Sequence, residues 1–380
     1  MAAAARRPPK TAAAAGRRPL RRRTDGTVAL DLALQGGGSH GAFTWGVLDA
    51  LLQDTRLVPV GVSGTSAGAM NAAVLATGFA EGGHAGARQA LAAFWRDVSR
   101  TGSCFGNGAH TPAPDPLAAM FPWLSAWPWS HVWTRRLADL ARVGPQMLTH
   151  LWSPYQLNPL GLNPLRAVAQ RHVSEEALRE GPLKLFVTAT SVHTGQPEVF
   201  KGRRLSLDAL LASACLPHLF QAVEIEGVPY WDGGYTGNPA LWPLIYDTDA
   251  LDVLLVKINP LRRESTPDTP MEIADRVSEI TFNAGLVGEL RAVAFVQRLL
   301  REDRIDRARY KNLRLHMVHD EDGLAAFGAA SKLNTQWDFL QSLHALGVAA
   351  AQRWLERYRD DIGRRSTLDI ASTFLAHREA

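Results

Sequence analysis

Gly64-Thr65-Ser66-Ala67-Gly68 places a serine two residues from a glycine on each side. A serine hydroxyl is a weak nucleophile until a rigid frame holds it where base and substrate both reach it. A sharp strand-to-helix turn supplies that frame, and glycines two positions before and after remove side chains that would collide there. A helix opening at Ala67 adds free N–H groups and the positive end of its dipole beside the hydroxyl. Upstream, "GGGSHG" (Gly36 to Gly41) offers successive backbone N–H groups with no side chain in the way, as the oxyanion of acyl transfer requires. Downstream, Asp232-Gly233-Gly234 puts a carboxylate, a candidate base, in a glycine-rich loop.

Each string has a blander reading. "GGGSHG" also satisfies G-x-G-x-x-G, the dinucleotide-binding fingerprint. That reading needs an acidic residue about 20 positions on, closing a second strand, whereas "LVPVGVS" runs into the serine turn instead. Asp-Gly alone is an ordinary turn. Three histidines, His316, His319 and His344, follow Asp232 in the Ser–acid–His order of an α/β-hydrolase triad, so spacing alone leaves a triad open.

Taken together and in this order, the motifs resemble the patatin-like phospholipase family, whose pattern is G-G-G-x-[RK]-G, then G-x-S-x-G, then D-G-[GA]. The matching residues are Gly36, Gly37, Gly38 and Gly41; Gly64, Ser66 and Gly68; and Asp232, Gly233 and Gly234. "ASACLPHLFQAVEIEGVPYWDGG" looks like the family's small-residue helix, proline turn and hairpin. The resemblance covers roughly residues 28–260 and implies a three-layer α/β fold with a mostly parallel sheet. It further implies a Ser66–Asp232 dyad, an oxyanion hole from the N–H groups of Gly37, Gly38 and Ala67, and a lipid ester substrate. The sequence has no metal-ligand cluster, so neither metal nor cofactor is expected. His40 departs from the pattern, standing where the family carries Arg or Lys. With an ordinary imidazole, the charge of the loop would then depend on pH. The competing readings are a non-catalytic patatin-fold protein that binds lipid or protein, and a triad esterase.

The elements that would position these residues are legible around them. Val28–Leu34 is an apolar run that reads as a buried strand, and Phe43, Val47, Leu48 and Leu51 recur at helical spacing after it. Residues 57–63 form a second strand, followed by a small-residue helix over 67–79. Two strand–loop–helix units within 50 residues predict a parallel sheet. Strands are expected at 183–192, 251–260 and 313–322, a hairpin over 223–234, and helices over about 271–302 and 332–359. Residues 28–260 read as the catalytic domain, with 101–152 as a Trp- and Pro-rich cap or insertion. Residues 261–380 read as a mainly helical extension packed on the same domain.

Hydrophobic residues make up 46% of the 380 and charged ones 21%, as expected of a globular chain. No apolar run is long enough to span a bilayer, which predicts no membrane-spanning helix. Two cysteines, Cys104 and Cys215, far apart, predict free buried thiols in a reducing compartment, hence a cytoplasmic protein that can sit against a membrane. Eight of the 41 Lys and Arg fall in residues 1–23, leaving 33 against 37 acids, so the body carries about −4. Residues 1–25 therefore read as a disordered basic tail. The tail and the tryptophans at 123, 127, 129 and 133 favour contact with an anionic lipid surface. No nucleic-acid partner is expected.

Overall fold

The β-branched and aliphatic residues of Val28–Leu34 form β1, the centre of an eight-stranded sheet seen in a computed structural model of the chain. The structure describes residues 26–104, 153–263, 265–325, 327 and 329–375. β1 pairs in parallel with β2 (Leu57–Thr65) and with β7 (Asp252–Val256). β2 pairs in parallel with β3 (Lys184–Ser191), and β7 with β8 (Arg314–Val318). Three short strands, β4 (Pro197–Lys201), β5 (Val223–Ile225) and β6 (Val228–Asp232), pair antiparallel around the β3 end. The sheet is thus mostly parallel, as the resemblance implied.

Strand alternation divides the core in two. Leu30, Leu32 and Leu34 of β1, with Leu254 and Val256 of β7, face one side. Ala33, Val253, Leu255 and Leu315 face the other. The first face is covered by α1 (Gly41–Leu51), α2 (Ala67–Cys104), α6 (Leu207–Ser213) and α10 (Trp337–Tyr358). The second is covered by α7 (Trp242–Asp247) and α8 (Pro270–Arg301). Short helices α3 (Pro154–Leu157), α4 (Pro164–His172) and α5 (Glu175–Glu180) precede β3, and α9 (Glu321–Ala325) follows β8. α1 and α10 pack backbone to backbone: a Cβ on Gly347 would lie 2.0 Å from the Phe43 carbonyl oxygen.

Several boundaries differ from the sequence reading. The helix expected over 67–79 runs to Cys104, broken only at Gly82 and Gly83, where Gly83 takes φ +58°. The closing helix begins at Trp337, because a separate 3-10 turn occupies Ala329–Leu333. β4 was not anticipated, since its "PEVFK" is too short and too charged to read as a strand. Cys215 is buried and its thiol donates to the Gln221 carbonyl. The side chain of Cys104, the basic tail and the tryptophan-rich segment lie outside the described residues. Among the described residues no helix is long and apolar enough to cross a membrane.

Candidate active site

Ser66 stands at the C-terminal end of β2, directly before α2, with φ +54°. A non-glycine residue held in this left-handed region costs about 1–3 kcal/mol, which the surroundings must offset. They do so through close packing. A Cβ on Gly68 would sit 2.2 Å from the Leu34 carbonyl oxygen, and one on Gly64 would sit 2.5 Å from that of Gly68. Only bare backbone lets β1, β2 and α2 converge here. The Ser66 N–H donates to Ser213 Oγ of α6 at 2.9 Å, and Ser213 in turn donates to the Thr188 carbonyl at 2.6 Å. This pins the turn to β3.

The glycine loop leaves β1 against this turn. A Cβ on Gly36 would come within 2.6 Å of the Ser66 Cβ, and one on Gly41 within 2.8 Å of the Ala67 Cβ. Gly38 takes φ +60° and opens a 3-10 turn over Gly38–His40. Both polar atoms of Gly36 are held: its N–H donates to Asn238 Oδ1 at 2.6 Å, and its carbonyl accepts from Asn259 Nδ2 at 2.7 Å. Gln35 anchors the strand side, its Oε1 accepting from the N–H groups of Ile258 and Asn259, both at 3.0 Å, and its Nε2 donating to Asn283 of α8. Among the described residues, the Gly37 and Gly38 N–H groups make no hydrogen bond. They remain available, as does the first-turn N–H of Ala67.

Asp232 ends β6. The register fixes its place, because Thr65 pairs with Thr188 and Ala189 pairs with Asp232 on the same strand β3. Ser66 and Asp232 thereby emerge on either side of β3 at one edge of the sheet. Asp232 is fully buried. Its Oδ1 accepts from the Gly234 N–H at 2.7 Å, while Oδ2 has no hydrogen-bond partner. Gly233 lies against the Thr188 carbonyl, where a Cβ would be 2.1 Å away. Burial pushes the carboxyl up to about 7, and the Gly234 N–H and the nearby Ser66 hydroxyl pull against it. The hydroxyl is near enough to act electrostatically, yet no hydrogen bond to Oδ2 is closed.

His40 is buried, with Nε2 2.7 Å from Ser331 Oγ. Burial first, and the charge of Lys332 second, push its pKa down to about 4. The expected pH-dependent loop charge is therefore not carried by His40, which is neutral near pH 7.

The histidines that spacing left open lie elsewhere. His316 on β8 contacts Asp252 at 3.1 Å, near the start of β7. His344 stacks on Trp45 at 4.0 Å and approaches Asp49. His319 lies near Lys257 and Glu321 at the end of β8. None of these three histidines is hydrogen-bonded to Ser66 or Asp232. Conversely, sequence reasoning missed Gln35, Asn238, Asn259, Asn283 and Ser213, the polar residues that brace the site.

The fold, a mostly parallel sheet with helices on both faces, is of patatin type. The sequence profile described as patatin-like phospholipase matches residues 32–245, and the chain belongs to that family. Family membership supports a lipid hydrolase. No curated protein matches the chain. Among solved structures it is similar to VipD from Legionella pneumophila, at 15% identity and a TM-score of 0.32, covering 84% of this chain and 67% of that one. It is also similar to the type III effector ExoU, at 18% identity and a TM-score of 0.24, covering 86% of this chain and 54% of that one. The heterodimeric ExoU–SpcU complex of Pseudomonas aeruginosa matches at 17% identity and a TM-score of 0.30, with 92% and 74% covered. At these scores the likenesses carry no argument about function.

Proposed function

We propose that the protein is a lipid acyl hydrolase of phospholipase A type, acting through a Ser66–Asp232 dyad. The observation that carries this reading is the unpartnered Oδ2 of a buried carboxyl beside a serine held at φ +54°. Ser66 Oγ attacks the ester carbonyl as its proton passes to Asp232. The Gly37, Gly38 and Ala67 N–H groups receive the oxyanion. Collapse of the intermediate expels the alcohol, which takes the proton back from Asp232 and leaves an acyl-serine. Water, deprotonated by Asp232, then releases the fatty acid and restores Ser66. A carboxyl raised to about 7 suits both directions of this transfer near neutral pH.

In this reading residues 28–260 carry the chemistry and 261–380 complete the same domain, since β8 and α10 belong to one sheet and one helix layer with β1 and α1. The basic tail and the tryptophans of 101–152 supply peripheral contact with a lipid surface from the cytoplasmic side. The test is hydrolysis of a short p-nitrophenyl ester, a phospholipid and a triacylglycerol, with Ser66→Ala as control and fluorophosphonate labelling of the serine. Wild-type protein that neither labels nor releases fatty acid, or labelling that survives in Ser66→Ala, overturns the proposal.

A further inference from the structure

Lys332 lies outside the matched family region, in the 3-10 turn Ala329–Leu333, yet it meets the glycine loop. Its backbone carbonyl occupies the space beside Gly38, where a Cβ would be 2.3 Å away. Its Nζ donates to Asn259 Oδ1 at 3.0 Å. Asn259 Nδ2 donates in turn to the Gly36 carbonyl at 2.7 Å. The orientation of this amide is forced, because a lysine can only donate and a carbonyl can only accept. The Gly36 carbonyl and the Gly37 N–H belong to one peptide unit. Ammonium, side-chain amide and peptide thus stand head to tail, with the unbonded Gly37 N–H at the far end.

We infer that Lys332 is a positioning residue that polarises the Gly37 N–H through Asn259 and supplies the positive field of the oxyanion site. This rests on the hydrolase reading above. A chain of hydrogen bonds strengthens each member, and an ammonium at its head draws electron density away from the terminal N–H. The stronger donor stabilises charge that exists only in the transition state. His40 cannot take this part, since it is neutral near pH 7. Lys332 reaches the same loop through Asn259 and Gly38, and its charge acts on His40. Burial lowers the Lys332 pKa, while Glu279 and Asp275 favour its charged form. Glu279 is itself ion-paired with Arg263 and Arg276, so it does not cancel the ammonium.

The experiment compares wild type with Lys332→Met, Lys332→Gln and Lys332→Arg on a soluble p-nitrophenyl ester. It also measures inhibition by an alkyl trifluoromethyl ketone, which forms an anionic adduct with the serine. Lys332→Met and Lys332→Gln are expected to lower kcat about tenfold with little change in KM. Affinity for the ketone should weaken by a similar factor, and Lys332→Arg should keep most of the rate. Lys332→Gln retains a donor to Asn259 without the charge, and serves if Lys332→Met does not fold. The His40 imidazole, followed by NMR, should titrate at higher pH in both uncharged variants. A folded Lys332→Gln protein with wild-type kcat and ketone affinity overturns the inference. Wild-type protein inert to fluorophosphonate and to every ester would instead refute the hydrolase reading, with the His40 shift still reporting where the ammonium sits.

Discussion

Two buried aspartates lie 20 residues apart in the chain and behave in opposite ways. Asp252, at the start of β7, is saturated: it accepts from Arg314 at 3.0 and 2.6 Å, from His316 at 3.1 Å and from the Gly363 N–H at 2.8 Å. Burial alone would raise its pKa, but these donors hold it down to about 2. Asp232 has one donor, one bare oxygen, and a pKa raised to about 7. An Asp–His pair invites a catalytic reading, yet here it is the clamp that ties β7, β8 and the segment near Gly363 together. In the proposed reaction it is the carboxyl without a histidine that moves the proton. Incomplete polar satisfaction, not the company of a histidine, separates these two carboxyls. Asp31 on β1 shares a bare oxygen and a pKa raised to about 7, and the glycine motif beside Ser66 is what marks Asp232.

The sharpest way to break this contrast is to remove the reactive members. Ser66→Ala and Asp232→Asn should each lower kcat on a soluble ester by about 10³-fold or more, with the double variant scarcely worse. An active Asp232→Asn protein would place the base elsewhere. Next in size, Asp252→Ala should cost about 3–5 kcal/mol of stability by stranding Arg314 and His316. Chemical denaturation reads that loss, while the rate per folded molecule should hold. A dead but fully stable Asp252→Ala protein would reverse the two roles.

A smaller effect separates the pair by pH. Asp232 binds its proton more tightly folded than unfolded, about 7 against 3.8, so its contribution to stability is present below pH 3.8 and lost as pH rises through 7. Asp232→Asn removes that loss and should raise Tm at pH 8 by about 2 °C or more, while abolishing turnover. Asp252 has the opposite sign: its contribution is present above pH 3.8 and lost as pH falls toward 2. Equal Tm values for wild type and Asp232→Asn at both pH 5 and pH 8 would contradict the raised pKa. Smallest, Ser213→Ala leaves the Ser66 N–H without its acceptor and should cost about 1 kcal/mol, read as a modest fall in Tm and a severalfold fall in kcat.

Much of this was open to sequence reading, for identifiable reasons. β1, β2, β7 and β8 are nearly continuous apolar runs, as buried parallel strands must be. Ser66, Asp232 and the motif glycines stand at fixed short spacings, because each marks a place where backbone meets backbone. Asn238, Asn259 and Asn283 carry no such signal. Each is a lone amide whose partner lies more than 200 residues away, at Gln35 or Gly36. α2 read short because small residues and the Gly82–Gly83 pair imitate a helix end, whereas the chain bends there and continues. His316 drew attention by order alone, and only the pairing of β8 with β7 reveals which aspartate it serves.

The bracing of the glycine loop by Asn259 and Lys332 also has a consequence for synthesis. A ribosome that has added Gly234 has already made every motif serine, glycine and aspartate. The amides and the ammonium that hold the loop are translated later, and β8 and α10 later or alongside them. A nascent chain that already holds every motif therefore still lacks the groups that brace its glycine loop until residue 332 has been added.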